Sequence, residues 1–146
     1  MSGRQDIVAA ARGWVGTPYR HQASCRGAGA DCLGLVRGVW RDVIGSEPER
    51  LPGYSWDWSE VRGEEELWAG AARHLSPREP DAAYPGDVLL FRMRDGMVAK
   101  HLGILSLNGP EPRFVHAYAR HGVVESTLSF PWRRRVVAAF AFPTEV

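Results

Sequence analysis

Cys32, His101 and His116 are the residues whose types and placement could do covalent chemistry. A thiolate attacks carbonyl carbon, an imidazole beside it can take the thiol proton, and a further polar group can fix the tautomer of that imidazole. Cys32 follows Asp31, a residue type favoured at a helix N-cap, and Leu33, Val36, Val39, Trp40, Val43 and Ile44 recur behind it at helical spacing. The pattern predicts a buried helix with Cys32 at its first position. There, unpaired backbone N–H groups and the helix dipole favour thiolate, an environment that lowers a cysteine pKa from about 8.5 to roughly 3.5–7.5. The same position also suits a small apolar side chain that fills space at a helix start, and the local sequence leaves both readings open.

His101 falls in the run Lys100-His101-Leu102-Gly103-Ile104 and His116 in Phe114-Val115-His116-Ala117, both rich in strand-forming residues. If the Asn108-Gly109 region closes a hairpin, Leu107 pairs with Pro112, Gly103 faces His116, and His101 becomes a diagonal neighbour of His116, about 7–8 Å away by Cα. A relay follows: Cys32 as nucleophile, His101 as general base, His116 holding the far nitrogen of His101, and Gly103 leaving the space beside the base open. Against it stands the ordinary reading of two satisfied strand histidines. A zinc site made of the same three residues lacks a fourth ligand, so no metal and no cofactor are expected. Cys25, seven residues before Cys32 in a glycine-rich stretch, is expected to be dispensable.

The elements that must position these groups read as helices first and strands second. Ile7, Ala10, Ala11, Trp14 and Val15 share a helical face and predict a helix over 3–15, stopped by Gly16 and Pro18. Residues 17–30 read as loop, the cysteine helix runs to Gly45, and residues 47–59 form an irregular connection carrying Trp56 and Trp58. A third helix is predicted over 60–74. Strands follow at 88–93, 98–107, 113–118, 123–128 and 136–142, separated by turn signals such as Arg94-Asp95-Gly96 and His121-Gly122. The expectation is an α+β domain spanning 1–146, with N-terminal helices packed on an antiparallel sheet of about five strands.

Bulk properties narrow the function. A chain of 146 residues with 45% hydrophobic and 24% charged residues and a formal net charge of +1 has the balance of an ordinary globular domain, with no excess charge toward nucleic acid. Lys100 is the single lysine, and the run Arg133-Arg134-Arg135 reads as an exposed edge. No apolar run is long enough for membrane insertion, and the polar start Met1-Ser2-Gly3-Arg4 lacks the pattern of a secretory signal, so a cytoplasmic product is expected. Two cysteines do not make a disulfide framework.

Four segments in order, Asp31-Cys32-Leu33-Gly34-Leu35-Val36, Pro85-Gly86-Asp87-Val88-Leu89-Leu90-Phe91, His101-Leu102-Gly103-Ile104 and Val115-His116-Ala117, resemble the motifs of the NlpC/P60 cysteine peptidases. The resemblance covers nearly the whole chain. It implies a papain-like α+β fold, a Cys32, His101, His116 triad, and bacterial cell-wall stem peptides as substrate, commonly cut between γ-D-glutamate and a diamino acid. Tyr19, in Gly16-Thr17-Pro18-Tyr19-Arg20, matches the family tyrosine beside the nucleophile, and with Asp31 and Gly103 is expected to serve substrate or oxyanion; as a packing residue it would instead hydrogen-bond backbone. The long connection after the cysteine helix resembles the stand-alone versions carried by phage tails and phage-derived gene transfer agents. That likeness implies docking to a tail hub or baseplate protein, with Trp56 and Trp58 as anchors, and action at the wall of a target cell. Two other functions fit the same residues: a tail-tip docking module with little activity, and a thiol amidase or acyltransferase.

Overall fold

Ile7 and Ala11 lie one helical turn apart and are both buried, which folds Arg4–Gly13 (α1) onto the rest of the chain through one stripe. The computed structural model describes residues 3–48, 66–93 and 99–143. α1 ends two residues before the expected point because Trp14 turns inward: its ring is buried, and its Nε1–H donates to Asp42 Oδ2 at 2.9 Å. Asp42 belongs to Cys32–Val43 (α2), which buries Leu35, Val36 and Val39. Gly45 stops α2, its backbone at φ +143° in a region that suits glycine. Between the two helices the expected loop contains a small hairpin, Ser24–Cys25 (β1) with Gly29–Ala30 (β2), which short-range sequence did not disclose.

The predicted third helix is seen as Glu66–His74 (α3), with Trp68, Ala71 and Leu75 packed on the core; residues 60–65 lie outside the described residues. Trp56 and Trp58, the expected docking anchors, lie outside them too. Among the described residues no helix is long and apolar enough to cross a membrane.

The sheet has six antiparallel strands where about five were expected. Ser76–Arg78 (β3) is followed by a short 3₁₀ turn at Pro80–Ala82, then Val88–Phe91 (β4), His101–Leu107 (β5), Arg113–Tyr118 (β6), Gly122–Thr127 (β7) and Val136–Ala141 (β8), with the helical turn Phe130–Arg133 (α4) between the last two. The spatial order is β3-β8-β4-β5-β6-β7. The additional strand is β3. Its central Pro77, opposite Phe140, reads in sequence as a breaker, but an edge strand has a free side where a missing N–H costs nothing.

All four residues of β4 are buried because both faces of the sheet are covered. Val88 and Leu90 join Leu102, Ile104 and Val115 under α1 and α2, while Leu89 and Phe91 join Leu105, Phe114 and Leu128 on the opposite face, closed by Trp132 of α4. His101 and His116 share that opposite face. Just before β4, the Asp87 carboxylate is 1% exposed and sits between Arg4 Nη1 and Arg78 Nε, each at 2.8 Å, while accepting the Tyr84 N–H at 2.8 Å. The Arg78 contact is a charge contact without hydrogen-bond alignment. Asp87 thereby ties α1, β3 and the start of β4 together. Asp87→Asn removes the charge both arginines face, and urea unfolding is expected to show a loss of about 2–3 kcal/mol; an unchanged midpoint would mean that the two arginines are satisfied by solvent.

Candidate active site

The head of α2 is held by one buried carboxylate. Asp31 is 3% exposed, and its oxygens accept the Gly34 N–H at 2.7 Å, as an N-cap should, and the Gln22 N–H at 2.7 Å from the preceding loop. Gly34 allows this closeness: a β-carbon there would overlap the carbonyl oxygen of Ala23. Ser24 Oγ donates to Gly34 O at 2.6 Å, and the backbone on either side of Tyr19 pairs with Ala30: the Arg20 N–H donates to Ala30 O and the Ala30 N–H to Pro18 O. The oxygens of Asp31, a residue expected to serve substrate or oxyanion, accept these backbone donors and so organise the loop and the helix.

Cys32 sits at the first position of α2 with its Sγ 3.8 Å from Lys100 O. Backbone groups of Leu102, Leu33 and Cys32 itself favour the thiolate. Burial opposes them more strongly, the Asp31 charge adds to burial, and together they push the thiol up to about 12. The lowered pKa expected of a helix N-terminus is therefore overturned: the dipole acts, but desolvation and an adjacent carboxylate exceed it. Because Lys100 and Leu102 flank His101, the sulfur lies against the stretch of β5 from which His101 projects.

Ile104 pairs with Val115 and Leu105 with Phe114, and that register carried one step further sets Gly103 opposite His116. The hairpin end differs from expectation. Leu107 pairs with Arg113 rather than Pro112, because Ser106 is an additional residue bulged into β5. The site end is untouched by it, and His101 Nε2 lies 2.9 Å from His116 Nδ1. Burial, with the neighbouring His116, pushes His101 down to about 3; burial, with His121 nearby, pushes His116 down to about 4. Both rings are neutral near pH 7. Gly103 does not leave open space: a β-carbon there would come within 2.8 Å of Phe114 Cδ2 and 3.3 Å of His116 Cβ, so glycine is required for the histidine face to close.

Tyr19 is half-buried and bridged to Ala30, next to Asp31 and Cys32. Burial, then the charges of Cys32 and Asp31, raise its pKa well above the usual tyrosine value, so it persists as a hydroxyl able to donate. Three contributors carried no local signal. Trp132 packs edge-on to His116 with centroids 5.0 Å apart and lies 5.7 Å from His101; Tyr118 lies 6.2 Å from His101; Ser126 Oγ is 3.0 Å from His116 Nε2. Among the described residues no three His, Cys, Asp or Glu side chains converge to hold a metal ion.

Fold and site together define an α+β domain in which a thiol at a helix head lies against the backbone beside His101, and His101 is linked to His116 on the sheet. Residues 16–140 match the NlpC/P60 family, and the chain belongs to it. Similar solved structures include the NlpC/p60 domain of the peptidoglycan hydrolase SagA, 20% identical with a TM-score of 0.64, covering 96% of this chain and 99% of that one. An NlpC/P60 family protein from Bacillus cereus is 18% identical with a TM-score of 0.66, covering 94% of this chain and 39% of that one. A lipoprotein-like member from Staphylococcus aureus is 23% identical with a TM-score of 0.63, covering 97% of this chain and 42% of that one. The chain thus spans the whole of the first and less than half of the other two. Comparison with curated proteins gives no match.

The neutral histidines make stability depend on pH. An unfolded histidine takes a proton near 6.5, whereas the folded rings resist until about 3 and about 4. In that interval the unfolded chain binds more protons, so stability falls as pH drops from about 6.5 toward 4, by up to about 1.4 kcal/mol per pH unit for each ring. Denaturant unfolding at pH 7, 6 and 5 is expected to show this decline, with a shallower slope in His116→Gln. An identical slope in that variant would assign the acid sensitivity to other groups.

Proposed function

We propose that the protein is a cysteine endopeptidase acting on the peptide stems of bacterial peptidoglycan, at bonds between γ-D-glutamate and a diamino acid. The carrying observation is the Cys32 sulfur at the head of α2, against the backbone on either side of His101, with the far nitrogen of His101 on His116 at 2.9 Å. Family membership supports the reaction class, and the peptidoglycan hydrolase named among the similar structures supports the substrate.

In this reading His101 Nδ1 accepts the thiol proton as Sγ attacks the scissile carbonyl. Because the resting thiol and imidazole are both neutral, proton transfer accompanies attack instead of preceding it as a stored ion pair. The imidazolium then protonates the departing amine, and water attacks the thioester with His101 again as base. His116 holds Nε2 of His101, so that Nδ1 is the nitrogen presented to the sulfur. The Tyr19 hydroxyl, on the segment bridged to Ala30, serves in this reading as the donor that orients the scissile group.

Digestion of purified diaminopimelate-type peptidoglycan, with mass analysis of the fragments, tests the reading. Cys32→Ser is expected to fold and lose turnover, because a hydroxyl is far harder to ionise, whereas Cys25→Ser is expected to cleave normally. His101→Ala is expected to be inactive and His116→Gln partly active, since losing the orienting group leaves a base in place. Cleavage by Cys32→Ser, or a wall left intact by the unaltered protein, would reject the proposal.

Carriage by a phage-tail-like particle is the second part of this proposal, with a tail hub or baseplate protein bound through residues 45–65. Two aromatic anchors flanking Asp57 are able to contribute about 2 kcal/mol or more each to an interface. Replacing Trp56 and Trp58 together by alanine is expected to reduce incorporation into particles while free-protein hydrolysis persists; normal incorporation would reject this docking surface.

A further inference from the structure

His116 is bonded at both ring nitrogens. Nδ1 faces His101 Nε2 at 2.9 Å, and Nε2 faces the hydroxyl of Ser126 on β7 at 3.0 Å. His116 is 1% exposed and His101 8% exposed, and burial keeps both rings neutral. A neutral imidazole has one N–H and one bare nitrogen, and two nitrogens in a hydrogen bond share a single proton. The row therefore has only two self-consistent settings.

In the first, Ser126 Oγ accepts from His116 Nε2–H. His116 Nδ1 is then bare and accepts from His101 Nε2–H, which leaves His101 Nδ1 bare. In the second, the Ser126 hydroxyl donates to His116 Nε2. His116 then donates from Nδ1, His101 accepts at Nε2, and His101 Nδ1 carries a proton. A thiol proton finds a lone pair at His101 Nδ1 only in the first setting.

We propose that Ser126 is a positioning residue that sets this row: by accepting from His116 Nε2–H, its hydroxyl oxygen keeps His101 in the tautomer able to act as base. The proposal rests on His101 being the base for Cys32. In the step it serves, the S–H bond breaks, its electron pair stays on sulfur, and the proton forms an N–H bond at His101 Nδ1. The new imidazolium still donates from Nε2 to the bare Nδ1 of His116, so the row stabilises the charge without a second proton transfer, and the proton leaves later on the amine product.

The surroundings fix the contact. Ser126 is half-buried, and its Oγ lies 3.0 Å from His116 Nε2. Its backbone is set by the β6–β7 ladder, in which Ser126 pairs with Phe114 and Val124 with His116, which puts the hydroxyl diagonal to the imidazole on one face. Phe114 stacks on His116 at 4.1 Å and Trp132 meets it edge-on at 5.0 Å, so apolar rings hold the imidazole where Ser126 meets Nε2.

Three measurements on the full chain test this. Long-range proton–nitrogen correlation spectra of protein labelled at the histidine ring nitrogens distinguish Nδ1–H from Nε2–H. The unaltered protein at neutral pH is expected to show Nε2–H at both His101 and His116, and Ser126→Ala a mixture at His116. Ser126→Ala is also expected to lower kcat for wall-peptide hydrolysis about tenfold, the usual scale for an outlying partner of a catalytic imidazole, with KM within about twofold. Alkylation of Cys32 by iodoacetamide, read in a Cys25→Ser background, is expected to slow in parallel, and Ser126→Thr, which keeps the hydroxyl, to restore both rates. An Nδ1–H tautomer at His116 in the unaltered protein would overturn the proposal. So would an alanine variant with unchanged spectra and rates, or equal loss in the alanine and threonine variants. The spectra and the alkylation rate need no wall substrate, so they decide the role of Ser126 even where digestion rejects the proposed substrate.

Discussion

The buried carboxylate of Asp31 is the constraint on which the site depends. Its two oxygens take backbone N–H groups from opposite directions, Gly34 within α2 and Gln22 in the preceding loop, both at 2.7 Å. Each bond satisfies a donor that would be costly to leave unpaired in the interior. Together they fix where the chain stops being loop and becomes helix, and hence where Cys32 lies. The same negative charge then acts on its neighbour, because a carboxylate beside a buried thiol disfavours the thiolate. One residue thus positions the sulfur and adds to the burial that disfavours its ionisation.

The proposed base, His101, belongs to the second face of the sheet. Helices cover one face and aromatic side chains the other, and His101 and His116 belong to the aromatic side with Phe91, Phe114, Tyr118 and Trp132. Packing apolar rings around imidazoles removes the water that would solvate a positive charge, so both stay neutral. Neutral imidazoles have a lone pair to offer, and an unpaired polar nitrogen at such depth would be costly. Hydrogen bonding each histidine to the next polar group resolves that cost and aligns the row. Burial that looks like structural packing thereby keeps the two linked imidazoles neutral.

Much of this architecture was legible in sequence where a local pattern and a tertiary demand coincided. The Asp31 cap and the apolar spacing behind Cys32 placed the head of α2 to the residue, because both signals are contained in one helix. The range of β6 and the end of the strand around His101 followed from runs of strand-forming residues between turn signals, that strand beginning at His101 where 98 was expected, and the register near Gly103 survived although the hairpin end slipped at Ser106. β3 was missed because Pro77 is a breaker in every context except a sheet edge, and edges are assigned by the whole sheet. The β1–β2 hairpin was missed because two residues per strand carry no periodicity.

What the sequence determined by itself was the family, the order of the main helices and of five strands of the large sheet, and the chemical identity of the thiol and imidazoles, since these rest on residue types and spacings along one chain. The protonation states were decided by tertiary structure. A helix N-terminus alone argues for thiolate, but the depth of Cys32 and the nearness of the Asp31 charge reverse the sign, and neither depth nor nearness is a property of a motif. The company His116 keeps was decided the same way: Ser126 and Trp132 lie 10 and 16 positions further along and meet it only because β7 pairs beside β6 and α4 folds back over that face. Electrostatics and desolvation depend on distances through space, and the sequence records only distances along the chain.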